Sequence, residues 1–335
     1  MSTPSSVAQA GERALLELIR TRVPQAPSWV ALGIGDDAAL VEPEPRTLDV
    51  FTTDALVDGV HFDRRFTPPD AIGHRALAAN LSDLAAMGAR PRVALLSLLL
   101  PADLLLSDLM AMVDGLLGLA ARHHVALVGG NLTRTPGPLC IDITAIGSVH
   151  RRKFLTRSGA RAEDEVWVSG QVGSAAAGLA SLASPGPKAL GMSRCEEAWL
   201  RPEPRIRLGR LLASNGAASA CVDLSDGLAD GLQQLAHASK AGLIVEGQAL
   251  PVDAQAREWF ASHKADPVMA ALQGGDDYEL LFTVGARQRA RLRTVRQSIG
   301  DLPLTRIGSI TASGGVRLKT EAGECPVPAG YEHFR

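Results

Sequence analysis

The sequence predicts a mixed α/β protein of two domains, and three observations carry that prediction. Its 335 residues, 46% of them apolar, exceed one ordinary domain and can fill two cores. Segments with strand alternation and segments with helical spacing succeed one another through both halves. Between the halves lies HRRKFLTRSGARAEDE, a charged, glycine-containing stretch. The boundary is placed at its start, giving domains 1–150 and 151–335.

Residues 12–20 (ERALLELIR) have apolar residues at helical spacing, after which Pro24, Pro27, Gly33 and Gly35 impose an irregular segment. Residues 47–53 (TLDVFTT) alternate and are β-branched, so they predict a strand with Asp54 at its end. Pro68-Pro69 opens a helical region to about residue 89. Within it Asn80-Leu81-Ser82-Asp83 interrupts the pattern and predicts a cap for a second helix from Leu84. A strand at 92–100, a helix at 102–122, a strand at 125–128, a turn at Gly129-Gly130-Asn131 and a strand at 139–149 complete the first half. The second half reads as a strand at 166–170, a helix at 173–182, a Pro/Gly loop at 184–192, a helix from Pro204, a strand into Asp223 and a helix from Gly227. Further strands are expected at 243–245, 278–284, 304–310 and 315–319, with a helix in 286–299.

The 34 basic and 36 acidic residues leave a formal charge of −2. No block of five or six like charges occurs, which argues against nucleic-acid and polybasic membrane roles. The most apolar stretch, residues 93–106, is interrupted by Ser97, Pro101 and Asp103 and is too short to span a bilayer. The opening MSTPSSVAQAGE lacks the basic start and apolar core of a secretory signal, so a cytoplasmic location is expected. Cys140, Cys195, Cys221 and Cys325 form no CxxC pair, which argues against zinc and disulfides; Cys140 and Cys221 read as small buried hydrophobes.

Five segments set acids beside glycine or a hydroxyl: Gly35-Asp36-Asp37, Thr52-Thr53-Asp54, Leu81-Ser82-Asp83, Asp223-Leu224-Ser225-Asp226 and Gly274-Gly275-Asp276-Asp277. Singly, these are ordinary caps and turns. Together they fall at predicted strand ends and helix starts, where α/β sheets meet ligands. Two unit charges about 4 Å apart interact by roughly 4 kcal/mol at an effective dielectric of 20, so converging carboxylates need a cation or protons. Mg²⁺ suits the set because it prefers oxygen donors and bridges carboxylates to phosphates. No GxxxxGK[ST], HRD, DFG or GxGxxG pattern is present, so any ATP site belongs to a less common fold. His61 lies seven residues beyond Asp54, and Arg157, within RSGA, offers a fork for phosphate. Tyr331, near the end, reads as a tail residue packing on the core. NLSDLA with VGGN is echoed by DLSDGLA with QGGDD, which reads as reuse of common cap and turn parts.

GIGDDAAL, FTTDALVDGVHF, NLSDLAAMGA, VGGN, RSGA, VDLSDGL and GGDDYELLFT, in this order, resemble the thiamine-monophosphate kinase family. That family lies within the aminoimidazole-ribonucleotide-synthetase-like ATP-binding superfamily, and the likeness runs from about residue 12 to the GYEHF end. It implies transfer of the γ-phosphoryl of ATP to thiamine monophosphate, with several Mg²⁺ ions and K⁺. It implies a homodimer in which the N-terminal sheet closes a barrel with that of a second subunit, and a C-terminal α/β domain covering the nucleotide cleft. By the same resemblance Asp37, Thr52, Thr53, Asp54, Asp83, Asp223 and Asp226 match Mg²⁺ ligands, and Asn131 can add a carbonyl oxygen. Asp54, Asp83 and Arg157 match the groups closest to the transfer. Gly130, Asn131, Arg157 and Ser225 match nucleotide contacts, and His61, Asp276 and Tyr331 match contacts to thiamine monophosphate. Asn131 and Asp276 depart from the commoner Asp and Glu. Asp36 and Asp277 are read as structural. The alternatives are another ATP-dependent reaction of the superfamily, such as amidine ring closure, and a non-catalytic Mg-nucleotide-binding regulator.

Overall fold

A computed structural model describes residues 6–184, 192–312 and 314–330. The chain divides into two compact units, Met1–Leu84 with Arg90–Ser148, and Ala85–Ala89 with Val149–Arg335. Both mix helices and strands, in agreement with the α/β class expected.

In chain order the first unit contains α1 (Val7–Ala10), α2 (Glu12–Arg22), β1 (Val30–Leu32), β2 (Leu40–Val41), β3 (Thr47–Val57), α3 (Pro69–Ala86), β4 (Arg90–Pro101), α4 (Leu106–Arg122), β5 (Ala126–Thr135) and β6 (Cys140–His150). Four strands form a sheet in the order β3-β6-β4-β5, with β4 antiparallel to β6 and parallel to β5. On β4 the alternate residues Ala94, Leu96, Leu98 and Leu100 are buried, as one packed face of a sheet requires. The other face is more open: Phe51 is 67% exposed and Leu95 37%. Helices α3 and α4 touch through glycine, since a Cβ on Gly73 would lie 1.8 Å from the Met112 carbonyl oxygen and one on Gly115 would lie 1.9 Å from that of Asp70.

Three expectations are corrected here. Asn80-Leu81-Ser82-Asp83 caps nothing, because α3 runs unbroken from Pro69 to Ala86. Every residue from 71 to 82 is buried, and the Asn80 amide donates back to the Ala76 carbonyl at 3.1 Å, so packing overrides the local cap preference. Gly129-Gly130-Asn131 is no turn but the middle of β5, paired with Leu95, Leu96 and Ser97 of β4. Asp54 lies inside β3, which continues to Val57.

The second unit contains β7 (Glu165–Ser169), α5 (Ser174–Ala183), α6 (Ser193–Leu200), α7 (Ile206–Asn215), β8 (Ala220–Asp223), α8 (Leu228–Ser239), β9 (Gly242–Glu246), α9 (Ala254–Ser262), α10 (Pro267–Gln273), β10 (Leu280–Val284), α11 (Arg289–Ile299), β11 (Leu304–Thr311), β12 (Val316–Thr320) and β13 (Gly323–Pro326). Its seven strands run β13-β12-β9-β11-β7-β10-β8. Val168 of β7, Val222 of β8 and Leu281 of β10 share one core with Leu232 and Leu235 of α8. A second cluster joins Ala177 of α5, Cys195 of α6 and Phe260 of α9. Helices α6, α9 and α10 were not expected from the sequence. The expected loop at 184–192 lies almost wholly outside the described residues. Among the described residues no helix is long and apolar enough to cross a membrane. All four cysteines are free; Cys221 is buried and Cys140 half-buried.

A buried ion pair ties the residue before β10 to the residue before α7. Glu279, with only 4% of its side chain exposed, takes a two-pronged bond from Arg205 and another from the Ser169 hydroxyl, and that same hydroxyl accepts from the Leu280 N–H at 2.9 Å. Removing one partner of such a pair leaves a buried charge uncompensated. Arg205→Ala is therefore expected to lower unfolding stability by about 3 kcal/mol in a denaturant titration. Arg20→Ala, at an exposed pair with Glu17, is expected to leave the midpoint unchanged.

Candidate functional site

In the first unit the candidate residues cluster on and around β3. Strand alternation puts Thr52 and Asp54 on one face and Thr53 on the other, and burial follows it: Thr52 and Asp54 are half-buried, Thr53 exposed. The Thr52 hydroxyl donates to the Asp83 carboxylate, so an uninterrupted α3 brings Asp83 to the Thr52 and Asp54 face. Thr53 instead donates to Asp142 at 3.0 Å and receives the Thr144 hydroxyl at 3.3 Å. Asp142 stands opposite Ser97, and Ser97 opposite Asn131. A polar row of Thr53, Asp142, Ser97 and Asn131 thus crosses all four strands on the open face. Thr53 and Asn131 occupy opposite edge strands, three strand spacings or about 14 Å apart, so their side chains do not meet within one copy of the sheet.

Gly130, next to Asn131, is forced by contact: a Cβ there would lie 1.9 Å from the Leu96 carbonyl oxygen. Asp37 is exposed, and its N–H is held by the Asp36 carboxylate at 2.8 Å, so Asp36 is engaged in a local turn. His61 is half-buried beyond β3. Its Nδ1 accepts the Val57 N–H at 3.1 Å, so the neutral ring carries its proton on Nε2.

In the second unit the DLSD and GGDDYE segments lie side by side. Adjacent strands β8 and β10 pair through Asp223 and Leu280, and the pairing continues beyond them. Leu224 N–H reaches the Glu279 carbonyl at 2.9 Å, Tyr278 N–H the Leu224 carbonyl at 2.9 Å, and Asp276 N–H the Ser225 carbonyl at 2.7 Å. Gly275 permits this, because a Cβ there would stand 2.7 Å from the Ser225 oxygen. Asp223, Ser225, Asp226 and Asp276 are thereby brought into one loop cluster. Ser225 and Asp226 cap no helix: α8 begins at Leu228 after Gly227, with no side-chain cap. The local structures of NLSD, inside a helix, and DLSD, at the end of β8 and in the loop after it, also differ, so the sequence echo is not a repeat of local form.

Arg157 is exposed on the stretch that runs beside the β8 edge, where Cys221 N–H bonds the Thr156 carbonyl at 2.8 Å. Tyr331 lies outside the described residues. The two acids after Gly275 diverge. Asp276, at φ 67°, accepts the Trp199 indole N–H at 3.2 Å. Asp277 accepts the Gly173 and Ala175 N–H groups at 2.7 and 3.1 Å, capping the start of α5 from outside. Sequence reasoning missed Trp199, Asp142, Arg205 and Glu279; the RPEPR run next to Trp199 is the one local signal that something unusual follows α6.

The donors are uniformly oxygen, which suits Mg²⁺ by chemistry. Among the described residues no three His, Cys, Asp or Glu side chains stand close enough to cage an ion unaided. The candidate ligands divide between the units, with Asp37, Thr52, Thr53, Asp54, Asp83 and Asn131 in the first, and Asp223 and Asp226 in the second.

The fold and its acid-bearing loops define an AIR-synthase-related protein: residues 35–149 match the family described as AIR synthase related protein, N-terminal domain. More narrowly, the chain belongs to the thiamine-monophosphate kinase family. It is 39% identical to the thiamine-monophosphate kinase of Escherichia coli K12, over 97% of this chain and 98% of that protein. The crystal structure of thiamine-monophosphate kinase from Stenotrophomonas maltophilia K279a superimposes with a TM-score of 0.79 at 40% identity, covering 92% of this chain and 95% of that one. AaThiL complexed with AMPPCP and TMP superimposes with a TM-score of 0.74 at 30% identity, covering 96% and 99%.

Burial pushes the Asp277 carboxyl up to about 7, against the two N–H groups that favour its charge and with Glu279 and Asp276 adding to the rise. A carboxyl that holds its proton more tightly when folded contributes stability that is complete below the unfolded value near 3.8 and is lost as pH rises through about 7. Melting temperatures of Asp277→Asn and of the unsubstituted protein are therefore expected to shift in favour of the variant between pH 5 and pH 8. Parallel pH profiles would contradict this.

Proposed function

We propose that this chain transfers the γ-phosphoryl group of ATP to thiamine monophosphate, giving thiamine diphosphate and ADP, by direct in-line displacement. The observation that carries the reading is the 2.7 Å bond between the Ser225 carbonyl and the Asp276 N–H, which joins a residue here assigned to the nucleotide to one here assigned to the acceptor. Similarity along nearly the whole chain to thiamine-monophosphate kinases, and to a relative complexed with AMPPCP and TMP, supports the choice of substrates.

A phosphate monoester is already anionic near neutral pH, so the acceptor needs no general base; the obstacle is bringing it against polyanionic ATP. Mg²⁺ supplies neutralisation and alignment when bound. Thr52, Asp54 and Asp83 are the side chains assigned to it in the first unit, together with Asp37, and Asp223 and Asp226 in the second. Thr53 faces away from Thr52 and Asp54, so it joins them only through its main-chain carbonyl. Asn131 brings an uncharged oxygen. Gly130, Asn131, Ser225 and Arg157 are assigned to the nucleotide, with the Arg157 guanidinium suited to phosphate oxygens. His61, Asp276 and Tyr331 are assigned to the acceptor, and the Nε2–H tautomer makes His61 a donor toward phosphate oxygen. K⁺ is a further expected ion.

The open, partly apolar face carrying Phe51 and Leu95 supports a homodimer in which two four-stranded sheets close a barrel. In such a dimer the edge strand carrying Thr53 of one copy and that carrying Asn131 of the other become neighbours. Residues 1–150 then hold the dimer contacts and part of the metal, nucleotide and acceptor contacts, and residues 151–335 complete the metal, nucleotide and acceptor contacts, in a cytoplasmic enzyme.

Incubation of the purified protein with Mg·ATP and, in turn, thiamine monophosphate, formylglycinamidine ribonucleotide or selenide, with products identified by mass, tests the reading. Thiamine diphosphate from the first alone is expected, from a particle of twice the 35.2 kDa chain mass by light scattering. Aminoimidazole ribonucleotide would overturn it, and nucleotide binding without ADP release would mark a regulator. Asp54→Asn is expected to lower kcat by about two orders of magnitude at saturating Mg²⁺.

A further inference from the structure

We infer that Trp199 is a positioning residue for acceptor recognition: its indole N–H aims the Asp276 carboxylate at the exocyclic amine of the substrate's aminopyrimidine. The inference rests on the reading of Asp276 as an acceptor-side residue.

The main chain of Asp276 is already fixed by its N–H bond to Ser225, at 2.7 Å, in a left-handed conformation that Asp tolerates. Its carboxylate in turn accepts the Trp199 Nε1–H at 3.2 Å, which helps to set its direction. Trp199 is only 1% exposed, so its ring has no freedom to follow a wandering acid. Its helix is itself seated. A Cβ on Gly178 of α5 would lie 2.0 Å from the Cys195 carbonyl oxygen of α6, so these two helices meet backbone to backbone. The start of α5 is in turn held by Asp277. The chain of contacts therefore closes on itself: Asp277 holds α5, α5 seats α6, and α6 returns Trp199 to the neighbouring acid, Asp276.

Thiamine monophosphate offers a phosphate, a thiazolium cation and one strong hydrogen-bond donor, the 4′-amino group. A carboxylate repels the first, whereas its directional complement is the amine. An oriented carboxylate should consequently reject the 4′-oxo analogue, whose oxygen faces it as a second acceptor.

The test compares kcat/KM for thiamine monophosphate and for oxythiamine monophosphate in the full-length protein, with the KM for ATP as control. Asp276→Asn is expected to reduce the preference for the amine by about 10- to 100-fold, the range of a lost hydrogen bond to a charged group. Trp199→Phe, which keeps the packing but removes the N–H, should raise the KM for thiamine monophosphate by about three- to tenfold and shrink the same preference. The KM for ATP should not move, and Trp199→His should recover part of the loss. If Asp276→Asn abolishes the preference and Trp199→Phe leaves it whole, the role of Trp199 is overturned while the acceptor reading stands. If Asp276→Asn keeps the preference, both fall. The indole ¹⁵N–¹H resonance of Trp199 in the unsubstituted protein is a readout independent of how the variants fold. It should shift on addition of thiamine monophosphate, and an unmoved resonance at saturation overturns the inference.

Discussion

The candidate site depends on a main-chain pairing that outlasts its strands. After β8 and before β10 the chain no longer has regular strand form, yet Leu224 and Ser225 still exchange hydrogen bonds with Asp276, Tyr278 and Glu279. Three backbone bonds at 2.7 to 2.9 Å fix the separation of two loops that would otherwise drift. The Arg205–Glu279 pair, set in the same segment, holds it to β7 through Ser169. Rigidity at a loop is thus obtained from sheet-like bonding and one buried ion pair, which is the kind of support a phosphoryl-transfer site needs for alignment.

Adjacent residues take opposite duties in both units, and elementary geometry explains each case. Thr52 and Thr53 point to opposite faces of β3, so one meets Asp83 and the other Asp142. Asp276 and Asp277 diverge because Asp276 adopts a left-handed backbone, which sends one carboxylate toward α6 and the next toward the start of α5. Asp277 bears the cost of burial and accepts the Gly173 and Ala175 N–H groups at the start of α5.

Much of this was legible in the sequence. Alternation along residues 47–53 identified β3, and the acids beside glycine marked where chain segments end and turn, because those features are local. The helical placement of Asp83 was not legible: Asn-Leu-Ser-Asp serves equally as a cap or as a buried helical turn, and the decision lies in the packing of α3 around it. Gly129-Gly130 misled in the same way, since the glycines serve a close strand contact instead of a turn. Trp199 lies 77 residues from Asp276 and Arg205 lies 74 from Glu279, and pairings at that range leave no periodicity to read.

The chemistry assigned to these residues is a single displacement between two phosphates held by oxygen donors, with no nucleophilic side chain taking the phosphoryl group. In the proposed reaction both reactants are anionic, so placement and charge neutralisation would be the whole of the task. The direct measurement is the stereochemical course with ATP made chiral at the γ-phosphorus by oxygen isotopes. Inversion at the terminal phosphorus of thiamine diphosphate is expected; retention would require two displacements and a phosphorylated enzyme, and would contradict direct transfer.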